Sequence, residues 1–265
     1  MVTRSQDEHL GHFGHAGHAG PRAISRDAAS YHRPDARIAH YIDRALGDAR
    51  TVLNVGAGTG SYENAAHSIT AVEPSLALRA QRPAELATAI DAVAEHLPFD
   101  DGQFDASMTL FSVQEWTDVT AGLREMRRVT RGPVTVLTCD PLRVRDFWLY
   151  EYAPEVLDAE ARRHPPLHRL TAALGGTTTI QFVPIPLDCT DGGFNEAYYG
   201  RPELLLNPAA RRASSAWSSL DEQAAQDFDT SLRRALGCGA WDEAFGHLRS
   251  RPTYSGSLVL LRATP

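Results

Sequence analysis

The sequence lacks the features that mark several specialised classes of protein. Among its 265 residues, 26 Lys and Arg stand against 33 Asp and Glu, for a formal net charge of −7, so the basic face typical of nucleic-acid-binding proteins is not expected. No run of about 18 apolar residues is present, so no membrane-spanning helix is expected. The N-terminal segment also has no apolar signal-peptide core. We therefore expect a cytoplasmic protein that binds neither nucleic acid nor membrane.

Cysteine is scarce as well, and its placement argues against metal and redox motifs. Cys139, Cys189 and Cys238 lie far apart in the chain, and none has a partner at the spacing of a zinc or redox motif. We expect reduced thiols, as is usual in cytosolic proteins. No pair of Asp and Asn at ligand spacing follows the fourth predicted strand, so no metal site is expected.

Short apolar runs alternate with helical patterns over the first half of the chain. The composition, 43% hydrophobic and 22% charged, is that of an ordinary globular protein able to bury a core. The runs predicted as strands span 52–55, 69–73, 89–94, 104–113 and 134–139. Two later runs, TTTIQFVPIPLD and SGSLVLLRA, are also predicted as strands. Strands that alternate with helices predict an α/β fold with a mainly parallel sheet.

Two segments carry apolar residues on one helical face. Asp35 is expected to cap the first helix and Gly47 to end it. Its predicted buried face consists of Ile38, Ile42, Ala45 and Leu46. The predicted buried face of the second helix consists of Val119, Leu123, Met126 and Val129.

Three glycines directly follow the first predicted strand, in the stretch TVLNVGAGTGSYEN over residues 51–64. Gly56, Gly58 and Gly60 at such a turn would let a ligand approach the backbone closely. No lysine follows them, which excludes a Walker A loop. Ser61 stands where the dinucleotide fingerprint GxGxxG has its third glycine, which argues against NAD.

Four ordered segments, within about residues 28–141, resemble class I S-adenosylmethionine-dependent methyltransferases of the UbiE-like, type 11 branch. They are the glycine turn, ITAVEPS, AEHLPFDDGQFDASMTLFSVQEW and LREMRRVTRGPVTVLTCDP. The resemblance implies a Rossmann-like, doubly wound, mainly parallel seven-stranded sheet, with a helical cap inserted before the last strand. It also implies S-adenosyl-L-methionine as the cofactor, S-adenosyl-L-homocysteine as its product, and a small-molecule acceptor.

Composition, the order of the predicted elements and the resemblance together predict four regions along the chain. A mobile tail rich in His and Gly would span 1–26, and the cofactor-binding α/β core 27–140. Residues 141–250 would hold the remaining core elements and an aromatic, helical cap that binds the acceptor. The last sheet strand would lie within 251–265, and the assembly would be a monomer or a homodimer.

Each matching position acquires an implied role in binding the cofactor. The carboxylate of Glu73 would bind both ribose hydroxyls, and Arg33 would pair with the cofactor carboxylate. The other expected cofactor contacts are Gly56, Ala57, Gly58, Gly60, Pro74, Ser75, Ala94, Glu95, Leu110, Phe111 and Ser112. Many relatives have an Asp for the adenine amino group where this chain has Val93. In this chain, Glu95, Asp91 or a backbone group would accept the hydrogen bond from the adenine amino group instead.

Glu115 is the expected general base, because active sites in such sheets follow the carboxyl ends of strands. A carboxylate beside Trp116 in a partly closed pocket would have a raised pKa. The alternative is that Glu115 caps the next helix or faces water. Tyr31 and His32, on a flap before the first helix, are further catalytic candidates that could relay a proton, although either could be a surface or packing residue.

Aromatic residues are frequent between 141 and 250, which suits a flat, apolar acceptor. The expected acceptor contacts are Trp116, Trp148, Tyr198, Tyr199 and Trp217. The alternative is that these residues pack the core of the cap. An indole or phenol, methylated on carbon, nitrogen or oxygen in a natural-product pathway, is the sharpest expectation. Methylation of a quinone or lipid carbon, or cofactor binding without catalysis, remains open.

Overall fold

The computed structural model describes Tyr31 and residues 33–265, so the predictions for the 1–26 tail and for His32 lie outside the described residues. The helices are α1 (Ala36–Leu46), α2 (Leu76–Arg79), α3 (Val119–Val129), α4 (Pro154–Arg163), α5 (Leu167–Leu174), α6 (Pro208–Ala213), α7 (Glu222–Cys238) and α8 (Ala240–Phe245). The strands are β1 (Thr51–Val55), β2 (Ser68–Val72), β3 (Ala106–Leu110), β4 (Val134–Cys139), β5 (Thr177–Phe182), β6 (Ile185–Pro186), β7 (Thr253–Tyr254) and β8 (Leu258–Thr264).

The central sheet has six strands in the order β2-β1-β3-β4-β8-β5. Strands β2, β1, β3 and β4 are parallel, and β8 runs antiparallel to both β4 and β5. This confirms the predicted α/β class and the mainly parallel sheet. The crossovers place helices on both faces, as in the Rossmann-like arrangement.

The structure differs from the prediction in the number of strands, six rather than seven. The run over 89–94 was predicted as a strand, but it forms only one parallel bridge, between Ile90 and Val72. Ile90 and Val93 are 40% and 43% exposed, which leaves Ala89 and Ala94 as its buried side chains. Two alanines bury too little apolar surface to hold a longer edge strand against the sheet.

The two predicted helices pack on opposite faces of the sheet. Asp35 caps α1 by accepting a hydrogen bond from the Arg37 backbone N–H, and Gly47 ends it with a positive φ of 65°. All eight apolar residues predicted for the two helix faces are buried. Successive strand residues such as Val52 and Leu53 belong to the two separate cores, since alternate side chains of a strand point to opposite faces.

Between β4 and β8 the chain forms the cap, which contains α4 to α8 and several short 3-10 helices. Most of its apolar side chains continue the core on the α1 face of the sheet, with Phe147, Trp241 and Phe228 among the most buried residues. The exception is α5, whose buried residues Leu170, Ala173 and Leu174 belong to the core on the α3 face. The predicted strand TTTIQFVPIPLD forms as two pieces, β5 and β6, and β6 pairs with β7. Among the described residues, no helix is both long and apolar enough to cross a membrane.

Candidate active site

A cavity of about 370 Å³ lies at the carboxyl ends of β1, β2 and β3, the edge where ligands bind in doubly wound sheets. Its volume is in the usual range of small-molecule sites. The predicted cofactor residues that line it are Gly56, Ala57, Gly58, Glu73, Pro74, Ala94, Glu95, Leu110, Phe111 and Ser112. Glu115 and Trp116, predicted to act on the acceptor, line it as well.

The glycine turn after β1 needs its glycines for two different reasons. Gly56, Gly58 and Gly60 all have positive φ, at 68°, 53° and 88°, a region that other residues adopt only with strain. A Cβ on Gly56 would lie 1.8 Å from Ser112 Oγ, and one on Gly60 would lie 2.3 Å from Leu86 Cδ1. Gly60 is absent from the described cavity lining, and the close approach of Leu86 accounts for a glycine at this position by packing.

Glu73 is 3% exposed, and its carboxylate bridges the segments that follow β1 and β2. Its Oε2 accepts a hydrogen bond from the Gly58 backbone N–H at 2.8 Å, and its Oε1 accepts one from the Ser75 backbone N–H at 2.8 Å. Each carboxylate oxygen keeps a second lone pair for a ligand hydroxyl. Ser75 itself is outside the described lining, and its hydroxyl caps α2 at the Leu78 N–H.

Asn54 provides a polar group that the sequence reasoning missed. It is 3% exposed, it lines the cavity, and its Nδ2 donates to Glu63 Oε1 at 3.0 Å. Its Oδ1 is buried without a hydrogen-bond partner among the described residues. Buried acceptors are nearly always paired, so a ligand with a donor group fits here. The available signal was a polar residue inside the apolar run VLNV.

Tyr62 also lines the cavity and was not predicted. Its hydroxyl donates to Asp191 Oδ2 at 2.7 Å and accepts from the Asp35 backbone N–H at 3.4 Å. Burial, together with the nearby Asp191 charge, raises the pKa of Tyr62, so the phenol stays protonated. Other lining residues that the prediction omitted are Thr59, Ser61, Leu78, Val93 and Thr117.

The side of the cavity expected to hold the adenine contains Val93, Ala94 and Glu95. The Glu95 carboxylate accepts a hydrogen bond from the Asp118 backbone N–H at 2.9 Å. Asp91 forms an ion pair with Arg79 at 2.8 Å, its side chain is 69% exposed, and it is not part of the described lining. Of the alternatives for the adenine amino group, the geometry therefore favours Glu95 or a backbone group over Asp91.

Phe111 has an unusual backbone conformation where β3 ends. Its φ of 51° makes it the one non-glycine residue with positive φ in the described part of the chain, and such strain clusters at functional sites. Its ring stacks on Phe194 of the cap, with centroids 5.6 Å apart. Next to it, Ser112 Oγ accepts a hydrogen bond from Trp116 Nε1 at 3.0 Å. Phe111, which lines the cavity, therefore also contacts the cap.

Glu115 ends the short 3-10 helix Val113–Glu115 and lines the cavity. Its carboxylate forms an ion pair with Arg163 of α4, and both side chains are 32% exposed. The sequence did not predict this guanidinium partner, which replaces the apolar surroundings expected for the base. The alternative of a helix cap does not hold, because Asp118 caps α3.

Tyr31 and Arg33 lie on a segment that is fastened to the cap rather than to the cavity. The Tyr31 hydroxyl accepts a hydrogen bond from Asn207 Nδ2 at 2.8 Å. The Arg33 N–H donates to the Thr190 carbonyl at 3.4 Å, and its side chain is exposed. Neither residue belongs to the described lining of the cavity.

The predicted acceptor contacts divide into two groups. Trp116 lines the cavity, whereas Trp148, Tyr198, Tyr199 and Trp217 are absent from its described lining and are at most 8% exposed. Trp148 Nε1 donates to the Tyr199 carbonyl at 3.0 Å, and Trp217 Nε1 donates to Asn195 Oδ1 at 2.7 Å. These four residues lie in the core of the cap, as the alternative interpretation of the sequence predicted.

Comparisons with known proteins agree with this geometry. Residues 53–135 match a family described as a methyltransferase domain. The chain is 35% identical over 99 residues to a demethylmenaquinone methyltransferase of Mycolicibacterium gilvum, covering 36% of this chain and 43% of the relative. It is 34% identical over 103 residues to a ubiquinone/menaquinone biosynthesis C-methyltransferase of Stenotrophomonas maltophilia, covering 31% of this chain and 41% of the relative. The chain therefore spans less than half the length of these curated relatives.

One solved structure is similar to this chain over the cap as well as over the matched domain. A protein of Anabaena variabilis, described as a candidate methyltransferase from an antibiotic biosynthesis pathway, superposes with a TM-score of 0.82 and 24% identity. The superposition covers 89% of this chain and 100% of that one. Residues 53–135 are thus similar to methyltransferase domains of the UbiE-like type, and 89% of the chain shares the fold of that solved structure.

Proposed function

We propose that this protein transfers a methyl group from S-adenosylmethionine to a small aromatic metabolite. One observation carries the cofactor assignment. The unpartnered Asn54 Oδ1 and the clamped Glu73 carboxylate line one cavity. An amino or hydroxyl donor of the cofactor would satisfy Asn54, and the ribose hydroxyls would donate to Glu73. When bound, the cofactor supplies an electrophilic methyl group on a sulfonium.

The protein's own part in this reaction is positioning and exclusion of water. Gly56 and Gly58 let the ligand approach the backbone, and Phe111 and Trp116 offer apolar rings on the side where β3 ends. Fixing two reactants in a productive orientation contributes several kcal/mol to lowering a barrier. The strained turn at Phe111 keeps that aromatic wall in place.

Glu115 serves as the general base in this proposal, if the acceptor loses a proton. Its carboxylate lines the cavity and contacts Arg163, and it would accept a proton from an N–H or O–H group of the acceptor. Tyr31 and His32 remain candidates for a relay. Arg33 remains a candidate for the cofactor carboxylate through a movement of the segment that carries it.

An indole or phenol in a natural-product pathway is the acceptor that we propose. The aromatic wall supports it, as does the description of the Anabaena protein as part of an antibiotic biosynthesis pathway. The cap over 141–250 would contribute the acceptor side, through Phe194 rather than through Trp148 or Tyr199. The reaction would take place in the cytoplasm.

Carbon methylation of a quinone is the second candidate. The names of two relatives, a demethylmenaquinone methyltransferase and a ubiquinone/menaquinone C-methyltransferase, favour it. A quinol ring would meet the same aromatic wall. Turnover with a menaquinone precursor analogue but not with indoles or phenols would establish this alternative.

Calorimetric titration with S-adenosylmethionine tests the cofactor site. We expect micromolar binding by the unmodified protein and at least tenfold weaker binding by Glu73→Ala, since the buried ribose acceptor is lost. Glu243→Ala, at an exposed position of α8, is the matched control and should bind normally. Equal binding by Glu73→Ala would overturn the assignment. Release of S-adenosylhomocysteine with an aromatic acceptor panel then separates an enzyme from a protein that only binds the cofactor.

A further inference from the structure

Three side chains of types that commonly bind metal ions lie close together between the sheet and the cap, apart from the cofactor cavity. Cys139 is the last residue of β4, Glu160 lies in the last turn of α4, and His164 follows that helix directly. One ligand atom of each residue, a thiol sulfur, a carboxylate oxygen and an imidazole nitrogen, lies within 4.8 Å of the other two. The three residues are only 2%, 8% and 8% exposed.

The geometry of the pair from α4 suits one small cation. Glu160 and His164 are four residues apart and therefore lie on the same helical face. His164 Nε2 and Glu160 Oε1 are 3.9 Å apart. Zinc binds nitrogen and oxygen ligands at about 2.0–2.2 Å in tetrahedral geometry, so these two atoms would have to approach each other by only about 0.5 Å to bind one ion.

Groups around the three side chains hold them in orientation. His164 Nδ1 lies 3.1 Å from Thr138 Oγ1, which leaves Nε2 directed toward Glu160. Glu160 Oε2 accepts a hydrogen bond from Asn195 Nδ2 at 2.7 Å, which leaves Oε1 for a further partner. Outer contacts of this kind fix the ring orientation and the basicity of metal ligands.

A small cavity of about 10 Å³ borders Cys139 and Glu160, about the room that one water molecule needs. Glu196 also borders it, but its carboxylate is already held by the Ser257 backbone N–H and hydroxyl at 2.9 Å. A water molecule there would complete a four-coordinate site.

We propose that Cys139, Glu160 and His164 bind one zinc ion, with a water molecule as the fourth ligand. Zinc binds thiolate, imidazole and carboxylate ligands and is usually four-coordinate, and a thiolate ligand disfavours harder cations such as magnesium and calcium. A divalent cation also neutralises the thiolate and the carboxylate, two anionic groups that are costly to bury alone. The ion would clamp α4 against β4.

This clamp has a consequence for the cofactor cavity. Arg163, the neighbour of His164 in the chain, forms the ion pair with Glu115. The zinc ion would thus fix the end of α4 that presents Arg163 to the cavity. The sequence predicted no metal site, because the ligands come from two elements that only the fold brings together.

The test measures zinc content and cobalt spectra of the full chain. After dialysis against a weak chelator, we expect one tightly held zinc per chain that Cys139→Ser no longer retains. Cys189→Ser, which alters another buried cysteine, is the matched control and should keep the ion. Since histidines at 9, 12, 15 and 18 could hold metal too, Co²⁺ substitution is decisive, because only a cysteine site gives a thiolate-to-cobalt charge-transfer band.

The band should appear in the unmodified protein and in Cys189→Ser, and it should vanish in Cys139→Ser. A second variant keeps the proposal testable if Cys139→Ser does not fold. His164→Gln keeps the thiol, and in a chelator competition it should bind cobalt at least tenfold more weakly than the unmodified protein. A folded, unmodified protein without the band, or a band that persists in Cys139→Ser, would overturn the proposal.

Discussion

Arg82 Nη2 lies 2.7 Å from Glu63 Oε2, in an ion pair whose two side chains are 3% and 2% exposed. Arg82 also donates to the Gly58 carbonyl at 3.3 Å, and Glu63 accepts from Asn54 Nδ2 at 3.0 Å. One buried pair thus connects the end of β1, the glycine turn and the segment that follows α2. Asn54 and Gly58, two of the residues that this pair contacts, line the cofactor cavity.

The substitution Arg82→Met should destabilise the protein strongly. It leaves the Glu63 carboxylate buried without its cation, a situation that costs about 3–5 kcal/mol. Urea unfolding measures this loss, and calorimetry should show weaker S-adenosylmethionine binding. The double variant Glu63→Gln/Arg82→Met should recover part of the stability. A double variant no more stable than Arg82→Met would show that the unpaired carboxylate is not the cause.

Replacement of Gly56 by alanine should be worse than replacement of Gly47, although both glycines have a similar positive φ, 68° and 65°. An alanine at Gly47 meets no atom within 4 Å, so only the cost of its unfavourable backbone conformation, about 1–3 kcal/mol, applies. An alanine at Gly56 also overlaps Ser112 Oγ and Cβ, at 1.8 and 2.7 Å. Denaturation midpoints and cofactor affinity of the two variants compare these costs directly. Equal effects on both measures would mean that the turn relaxes around the new methyl group.

Glu115→Gln should lower turnover by about 10²- to 10⁴-fold for an acceptor that must lose a proton. Affinity for S-adenosylmethionine should stay the same, because the substitution keeps the size of the side chain. Glu151→Gln, at an exposed position of the cap, should be fully active. Normal turnover by Glu115→Gln would leave Glu115 with no role beyond its contact with Arg163.

Asp105 should make the protein sensitive to acid. Hydrogen bonds from the Thr51 N–H and from Arg131 hold the pKa of Asp105 well below its ordinary value. Because the folded-state pKa is the lower one, this stabilisation is fully present above about pH 4 and is lost as the pH falls below it. Asp105→Asn should therefore lower the melting temperature most at pH 7 and by a clearly smaller amount near pH 2, since the stabilisation is lost progressively as the pH falls toward the folded-state pKa. Asp48→Asn, at an exposed aspartate, is the control. If Asp105→Asn lowered the melting temperature as much at pH 2 as at pH 7, the stabilisation would not depend on the ionisation of Asp105, and the prediction would be wrong.

Much of the cofactor site could be predicted because its determinants are local in the chain. The buried strand β1, the glycine turn and the acid after β2 lie within residues 51–75, and the parallel strands bring their ends together at one edge. The predicted faces of α1 and α3 are buried for the same reason, since helical periodicity selects one side. The run over 89–94 failed as a strand because its bulkier side chains face outward.

The sequence alone determined the α/β class, the glycine turn and the position of Glu73, since each follows from residues close together in the chain. Only the tertiary structure decided which aromatic residues face the cavity and which fill the cap, because both environments select the same residue types. It alone brought Arg163 to Glu115, 48 residues away, and Cys139 to Glu160 and His164. These contacts join elements whose spacing carries no periodic signal. They arise from packing α4 against the sheet, where burial makes each charged group require a partner.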